Sequence, residues 1–374
     1  MLKFEVIHQS KKSRARVGRI HTAHGIIETP SFVAVGTNGV IKALDSTMIE
    51  KLEVQLMFCN TYHLMVQPGA DTVESFGGLH SFMNRKGPII TDSGGFQVFS
   101  LKYGGVAREL KSKGTKVGSG CVLKINEEGV LFRSYRDGSP LLLTPETSIA
   151  AQKQLGADII VSFDELPPYH MDPRALRKSL DRTHRWEERS IQAHQANPKN
   201  QSIYAVVHGG IDKKMRQESV EFLSKLPFDG YAIGGSVGKN REEMMDMLAF
   251  VMPKLPENKP NHLLGIADLP SIERIVPLGV DTFDSAHPTK CARHGLLFTF
   301  QGMKKIKQAI FARDSSPIDP TCDCLTCLNY SSGYVHHLFK ARELTALSLA
   351  TIHNIAHMTR LMKQMREAIL NDEI

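Results

Sequence analysis

The sequence has few features of a membrane protein or of a secreted, disulfide-stabilised one. No stretch approaches the roughly 18 consecutive apolar residues that a membrane-spanning helix needs, and the N-terminal segment MLKFEVIHQSKKSRAR lacks the apolar centre of a signal peptide. Cysteine is sparse, with six residues in 374, so a disulfide framework is not expected. These absences predict a protein of the reducing cytoplasm.

Length and composition indicate a globular protein with a sizeable core. Hydrophobic residues make up 41% of the chain and charged residues 23%, which is ordinary for such a protein. A length of 374 residues predicts about two domains or one large α/β barrel. The 46 basic residues exceed the 39 acidic ones, giving a net charge of +7. This excess permits a phosphate-bearing partner but does not by itself predict one.

Three of the cysteines, Cys322, Cys324 and Cys327, fall within six positions. In a reducing compartment such a cluster more often holds a metal ion than forms disulfides, and thiolates with one imidazole suit tetrahedral zinc. His336, His337, His353 and His357 are candidates for the fourth ligand. We favour His353, because it lies in the middle of an amphipathic helix predicted at 343–370. The alternative is three buried or free thiols with unrelated histidines.

Eight short apolar runs, each ending in a polar or glycine-bearing turn, predict a (β/α)8 TIM barrel. The cysteine cluster adds a zinc-binding subdomain near the C-terminus to this expectation. The runs are mostly continuous rather than alternating, as in parallel strands buried on both faces. A doubly wound sheet would give the same alternation. The runs are 31–37, 55–61, 88–95, 158–165, 202–210, 230–235, 262–268 and 281–288, and the residues expected at their C-terminal ends are Thr37, Asn60, Asp92, Asp164, His208, Gly234, Gly235, Asp268 and Asp284.

Two flanking regions complete the predicted organisation. Residues 1–30 alternate between apolar and polar positions and predict a β-rich cover at the bottom or side of the barrel. Residues 101–121 are rich in lysine, arginine and glycine, which favours a mobile basic surface loop. We therefore expect a barrel domain at 1–300 and a zinc-binding subdomain with a C-terminal helix at 301–374.

Asp92 and Asp284 are the candidate catalytic residues. Asp92 follows a buried run directly and precedes two glycines, and Asp284 lies in an equivalent FDSAHP context. Substitution at a sugar C1′ requires at least two carboxylates on opposite sides of the barrel opening. One can attack the carbon while the other donates or accepts the proton. The competing interpretation is that each aspartate is a helix cap or a turn residue.

Several motifs together resemble the tRNA-guanine transglycosylases, also called queuine tRNA-ribosyltransferases. They occur in family order and are NTYHL, TDSGGFQVFS, FDGYAIGG, TFDSAHPTK, DPTCDCLTC and TIHN. The resemblance implies a barrel enzyme that replaces guanine at the anticodon wobble position of a tRNA with a GUN anticodon. The incoming group is a free 7-deazaguanine base, and a homodimer with one structural Zn²⁺ per subunit is implied.

The resemblance also assigns roles to individual residues. Asp284 matches the nucleophile that bonds to ribose C1′, and Asp92 matches the general acid/base. Phe96 and Leu264 match the residues that stack on the base, while Lys290 and Arg293 match a basic pair facing the anticodon loop. The base-reading positions are Ser93, Asp164, His208, Gly234 and Gly235, and the metal positions are Cys322, Cys324, Cys327 and His353.

The chain departs from the family pattern around the base. His208 stands where a glutamine is usual, Leu166 replaces a cysteine, and the turn GGSVGK is one residue shorter, with Lys239 in place of a glutamate. A lysine would repel the aminomethyl cation of 7-aminomethyl-7-deazaguanine. We therefore hypothesise a preference for queuine, with the aminomethyl base as the alternative.

Two other kinds of function remain open from the sequence. The chain could be a non-catalytic tRNA-binding partner subunit of such an enzyme, although a scaffold would need neither Asp92 nor Asp284. An unrelated barrel glycosidase could use the same carboxylates, but the cysteine cluster and the paired-glycine turn fit that interpretation poorly.

Overall fold

The computed structural model describes residues 3–104, 109–111, 113 and 120–374. Within them, eight parallel strands form a closed barrel, because the last strand pairs with the first. The TIM barrel predicted from the apolar runs is thus confirmed, and every run overlaps one strand. The barrel strands are β4 (Ser31–Val35), β5 (Met57–Cys59), β6 (Ile89–Thr91), β10 (Ile159–Val161), β11 (Ser202–Val207), β12 (Gly230–Ile233), β13 (Asn261–Leu263) and β14 (Thr282–Ser285).

Helices connect the strands and form the outer layer of the barrel. Several are capped by a side chain, as where Thr144 and Thr147 form a capping box before a helix that has Pro145 in its first turn. The helices are α1 (Ser46–Lys51), α2 (Thr61–Val66), α3 (Ala70–Ser75), α4 (Leu79–Phe82), α5 (Gly95–Tyr103), α6 (Pro145–Leu155), α7 (Pro173–Ala196), α8 (Lys213–Leu223), α9 (Arg241–Val251), α10 (Leu269–Ile275) and α11 (His287–Arg293).

The N-terminal residues form an antiparallel sheet of β1 (Lys3–Gln9), β2 (Arg16–Thr22) and β3 (Gly25–Thr29). Ile20 and Ile27 of this sheet pack with residues of the barrel interior. Arg16 pairs with Asp281 at the start of β14, at 2.7 Å. The sheet therefore covers the N-terminal end of the barrel and leaves the C-terminal ends of the strands available for a site.

A second antiparallel sheet interrupts the barrel between β6 and β10. Its strands are β7 (Val122–Ile125), β8 (Val130–Arg133) and β9 (Pro140–Leu143). Phe132 packs with Tyr62 and Trp186, which ties the sheet to helices α2 and α7. The basic loop expected at 101–121 lies in large part outside the described residues. Its first three positions belong to helix α5, in which Tyr103 is buried.

The C-terminal region continues the outer layer of the barrel. It comprises a hairpin of β15 (Leu296–Thr299) and β16 (Gly302–Lys305), and helices α12 (Leu325–Asn329), α13 (Ser332–Ala341) and α14 (Thr345–Leu370). Arg366 of α14 donates to the Pro30 carbonyl at 2.9 Å, beside strand β4. Asn354 donates to the carbonyls of Pro288 and Leu296, both at 3.0 Å. The expected boundary at residue 300 falls in the β15–β16 turn, and one hydrophobic core continues across it.

Candidate active site and metal cluster

Three buried aspartates meet at the C-terminal end of the barrel. Asp92 directly follows β6, Asp164 follows β10, and Asp284 lies in β14. Each has 6–7% of its surface exposed. Burial, together with the negative charges of Asp164 and Asp284, raises the pKa of Asp92 to about 7, although hydrogen bonds from Asn60 and Thr61 lower it. A carboxyl group with this pKa can exchange a proton near neutral pH.

The start of helix α2 holds the Asp92 carboxyl group. The Thr61 backbone N–H donates to Oδ1 at 2.7 Å, and the Asn60 amide donates to Oδ2 at 2.6 Å. Asn60 precedes the helix, so these donors come from the helix N-terminus, which favours negative charge. Sequence reasoning placed Asn60 at a strand end but gave it no role in the site.

Asp164 is fixed on both of its oxygens. The Ser93 hydroxyl donates to Oδ1 at 2.9 Å, and Nε2 of His208 lies 2.7 Å from Oδ2. Gly95 allows this arrangement, because a Cβ at that position would stand 2.1 Å from Asp164 Oδ1. His208 thus contacts the carboxylate that was expected to read the base. Its Nδ1 is buried and has no hydrogen-bond partner among the described residues.

A buried arginine underlies the glycine turn. Arg216 of helix α8 donates to four backbone carbonyls at the end of β11 and in the loops after β11 and β12. They are those of Val207, Gly210, Gly234 and Ser236, at 2.7–3.2 Å. A Cβ on Gly235 would lie 2.9 Å from His208 Nδ1, in a backbone conformation with φ +77°. The two predicted glycines therefore lie where the chain passes close to His208, and Arg216 is a residue that the sequence analysis missed.

Asp284 receives two donors on a single oxygen. The Gly265 backbone N–H is 2.9 Å from Oδ1, and Nε2 of His262 is 3.1 Å from the same atom. His262 was also missed by sequence reasoning, although it begins one of the predicted apolar runs. Asp268, by contrast, was expected at a strand end but caps helix α10 and pairs with Arg241 at 2.9 Å.

The remaining predicted residues lie around this cluster. Phe96 is 43% exposed on helix α5, four residues after Asp92. Leu264 is half-buried, and a Cβ on Gly234 would stand 3.3 Å from its Cδ1. Lys290 and Arg293 lie on helix α11, which follows Asp284 and β14. Lys290 is exposed and Arg293 half-buried.

Cys322, Cys324, Cys327 and His353 come together beside hairpin β15–β16. Their ligand atoms all lie within 4.8 Å of one another, and all four residues are buried. Nε2 of His353 is 2.7 Å from the Phe298 carbonyl, so this nitrogen donates and Nδ1 faces the thiols, 3.3 Å from the Cys327 sulfur. This donor set fits a metal ion that prefers sulfur and imidazole, and the hydrogen bond to the Phe298 carbonyl fixes the orientation of the His353 ring.

A group of two histidines and one aspartate lies at the N-terminal end of the barrel, and its geometry differs from that of the Cys3His cluster. Rings of His24 and His80 stack at 3.5 Å with an interplanar angle of 14°, and both face Asp158. Two nearly parallel stacked imidazoles cannot both aim their in-plane lone pairs at one ion. Because Asp158 also accepts from the Ile89 N–H at 2.9 Å, we assign this group to structure.

The parallel barrel, with an acidic cluster at its C-terminal end and a separate Cys3His cluster, has the arrangement of barrel enzymes, whose active sites lie at that end. A model of the family described as queuine tRNA-ribosyltransferase matches residues 10–374, so the chain belongs to this family of transferases. The resemblance seen in the sequence motifs is thereby confirmed.

Named relatives align over the whole chain. The queuine tRNA-ribosyltransferase of Protochlamydia amoebophila is 65% identical over 372 residues, which cover 100% of this chain and 96% of the relative. Those of Chlamydia caviae and Chlamydia trachomatis serovar A are 54% and 52% identical over 374 residues, covering both chains completely. Among the described residues, no helix combines the length and apolar character needed to cross a membrane.

Proposed function

We propose that the protein exchanges the wobble-position guanine of tRNA for a 7-deazaguanine base through a covalent bond between Asp284 and ribose C1′. The observation that carries this proposal is the meeting of Asp92, Asp164 and Asp284 at one end of the barrel, with a different set of donors on each. Family membership supports base exchange on tRNA. The local geometry supports three separate tasks for the three carboxylates.

The exchange proceeds by two displacements at C1′. A carboxylate oxygen of Asp284 forms a bond to C1′ while the C1′–N9 bond breaks, and the departing N9 takes a proton from Asp92. The incoming base then gives its N9 proton to Asp92 and attacks C1′, which releases Asp284. Two inversions retain the configuration of the sugar. A pKa of about 7 for Asp92 suits a group that both gives and takes a proton.

In this proposal, the groups that recognise the base lie on the side of the site opposite the sugar. Asp164, held by Ser93 and His208, retains lone pairs that can accept the N1–H and exocyclic amine of guanine. The Gly235 N–H would donate to O6, and Phe96 and Leu264 would stack on the flipped base. Adenine would leave these buried groups unsatisfied, which costs binding energy. Lys290 and Arg293 would contact the anticodon loop.

We assign zinc to the Cys3His cluster, where it would link the 322–327 loop to helix α14. Four protein ligands leave no position for water, so the ion supplies folding energy rather than chemistry. As the resemblance implies, we further propose a homodimer that acts in the cytoplasm on tRNA with a GUN anticodon.

We propose queuine as the preferred incoming base. The Lys239 backbone N–H donates to Glu243 at 2.7 Å, while Glu243 also accepts from Tyr169 at 3.1 Å. Glu243 is thus already hydrogen-bonded to two groups of the protein. The side chain of Lys239, which follows the glycine turn, is exposed. Its charge would disfavour an aminomethyl cation. The kcat/KM ratio of queuine to 7-aminomethyl-7-deazaguanine should exceed one and fall about tenfold in Lys239→Glu. A clear preference of the wild type for the aminomethyl base would overturn this proposal.

The central experiment is exchange of labelled guanine into unmodified tRNA by wild type, Asp284→Asn and Asp268→Asn. Asp284→Asn should lose exchange by at least 10³-fold and should form no denaturation-resistant protein–RNA adduct. Asp268→Asn is the matched control, because Asp268 lies on the same barrel face as a helix cap and asparagine caps equally well. Full exchange by Asp284→Asn would remove the covalent mechanism. A wild type that binds tRNA without exchange would instead indicate a non-catalytic subunit.

A further inference from the structure

A fully buried histidine lies directly beneath the proposed nucleophile. His262 in strand β13 has none of its surface exposed. Its Nε2 is 3.1 Å from Asp284 Oδ1, and its Nδ1 is 2.9 Å from the hydroxyl of Thr282. Thr282 precedes Asp284 by two residues on β14, so both side chains emerge on the same face of the strand. The Phe58 ring stacks on His262 at 6.0 Å.

The hydrogen bonds around His262 constrain where its protons lie. The Thr282 hydroxyl has one proton and two neighbouring acceptors, His262 Nδ1 and the Asn261 carbonyl at 3.0 Å. If that proton points to Nδ1, the neutral ring carries its own proton on Nε2. In that arrangement the Nε2–H donates to the Asp284 carboxylate, the acceptor 3.1 Å away.

The Gly265 N–H is a second donor to the same carboxylate oxygen. It lies 2.9 Å from Oδ1, so this one oxygen faces both a backbone donor and His262. No other described residue hydrogen-bonds to Asp284, which leaves Oδ2 without a partner in the described part of the chain. The two oxygens of the nucleophile are therefore inequivalent.

We propose that His262 is a positioning residue that holds Asp284 by Oδ1 and thereby makes Oδ2 the attacking atom. This rests on the proposed function of Asp284. When the Oδ2–C1′ bond forms, Oδ1 becomes the carbonyl oxygen of the ester and keeps both donors. When that bond breaks, its electron pair returns to the carboxylate, and the charge on Oδ1 develops against His262 and Gly265. Donors already aimed at this oxygen lower the barrier of the second displacement without reorganising.

The test compares two replacements of His262 in guanine exchange. His262→Phe retains a buried ring but removes the donor, and its kcat should fall about 100-fold, as for loss of one preorganised donor. KM for tRNA should change less than threefold, because the donor acts on the nucleophile rather than on tRNA. His262→Gln returns an N–H near the Nε2 position, and its kcat should be at least tenfold higher than that of His262→Phe.

The control is His194→Phe, which replaces another buried histidine, on helix α7, beside Lys153 rather than the carboxylates. It should keep wild-type kcat whatever it costs in stability. Thr282→Val provides a second test if His262→Phe does not fold. It frees Nδ1 while keeping the histidine, and kcat should fall about tenfold, because the ring is no longer held in orientation.

Two outcomes would overturn the inference. One is a wild-type kcat in His262→Phe, or in Thr282→Val where His262→Phe cannot be purified. The other is equal loss in His262→Phe and His262→Gln, which would indicate a packing role alone. Asp284→Asn distinguishes these results from failure of the proposed function. If Asp284→Asn retains exchange, the nucleophile itself is misassigned, whereas loss in Asp284→Asn with full activity in His262→Phe rejects only the role of His262.

Discussion

Each carboxyl group in the acidic cluster has its own partners, and those partners determine its chemistry. Asp92 faces an amide and a helix N-terminus, Asp164 a hydroxyl and a histidine, and Asp284 a histidine and a backbone N–H. Burial and the charges of its two neighbours raise the pKa of Asp92. The same residue type can therefore act as an acid at one position and as a nucleophile at another.

This environment predicts the pH dependence of exchange. In the proposed mechanism guanine departs by taking a proton from Asp92, so kcat/KM for tRNA should decrease as pH rises through about 7. Asn60 donates to the charged form and lowers this pKa, so Asn60→Ala should move the decrease to higher pH by about one unit. That figure follows from about 1.5 kcal/mol for a hydrogen bond to a charged group. A pH–rate profile of the variant measures the displacement, and a move to lower pH would contradict the assignment.

At the scale of residues the sequence predicts the carboxylates but not which side chains hydrogen-bond to them. Asp92 and Asp284 could be found because each lies at the end of a buried apolar run, where barrel strands present functional groups. His208 and Asp164 are 44 residues apart in sequence, and His262 and Asp284 are 22 apart. Such pairs meet only through barrel closure and strand register, which the local pattern does not encode.

At the scale of elements, helix α8 organises the loops that follow two neighbouring strands. Its Arg216 is completely buried and donates only to backbone carbonyls, and burial lowers its pKa to about 9. The Val207 carbonyl ends β11 and the Gly210 carbonyl lies in the loop after it, while those of Gly234 and Ser236 lie in the loop after β12. One guanidinium thus sets the spacing between His208 and Gly235.

Arg216→Met should loosen both loops and weaken base binding. Four carbonyls would each lose a donor, and only that of Val207 keeps a backbone N–H, from Gly234, among the described residues. We therefore expect the free energy of unfolding to fall by about 3 kcal/mol and KM for free guanine to rise about tenfold. Arg216→Lys, which can satisfy only some of these carbonyls, should be intermediate in both. Urea unfolding and exchange kinetics measure the two effects. An unchanged KM in a destabilised Arg216→Met would show that the arginine serves folding alone.

The barrel strands were predictable because parallel strands covered on both faces read as continuous apolar runs. The run at 262–268 shows the limit of that argument, since β13 ends at Leu263 and the following residues turn into helix α10. Leu264, Ile266 and Ala267 extend the apolar pattern by packing against the core outside the strand. Hydrophobicity reports burial, and only hydrogen bonding defines where a strand ends.

At the scale of the whole molecule, the Cys3His cluster joins three parts of the C-terminal region. His353 lies on helix α14, its ring nitrogen contacts the Phe298 carbonyl of hairpin β15–β16, and the cysteines precede and begin helix α12. The choice of His353 over three neighbouring histidines agrees with the geometry. The structure brings together residues 31 positions apart at the extremes, Cys322 and His353.

Cys322→Ala should lose the metal and destabilise this region. We expect the wild type to contain one zinc ion per chain and Cys322→Ala almost none, with a melting temperature lower by about 5 °C or more. Cys291→Ala is the control, because Cys291 is buried on helix α11 outside the cluster. Elemental analysis and calorimetry provide the measurements. Full zinc content in Cys322→Ala would exclude that thiol as a ligand.

The contact between helix α14 and strand β4 also has a consequence for synthesis of the chain. Arg366 binds the Pro30 carbonyl across 336 residues of sequence. At roughly 5–20 residues per second, a ribosome needs about 20 s to a minute to make the intervening chain. During that time the apolar surface beside β4 has no cover from α14. The nascent protein is therefore most exposed to aggregation while its barrel strands already exist, and a chaperone would be most useful in that interval.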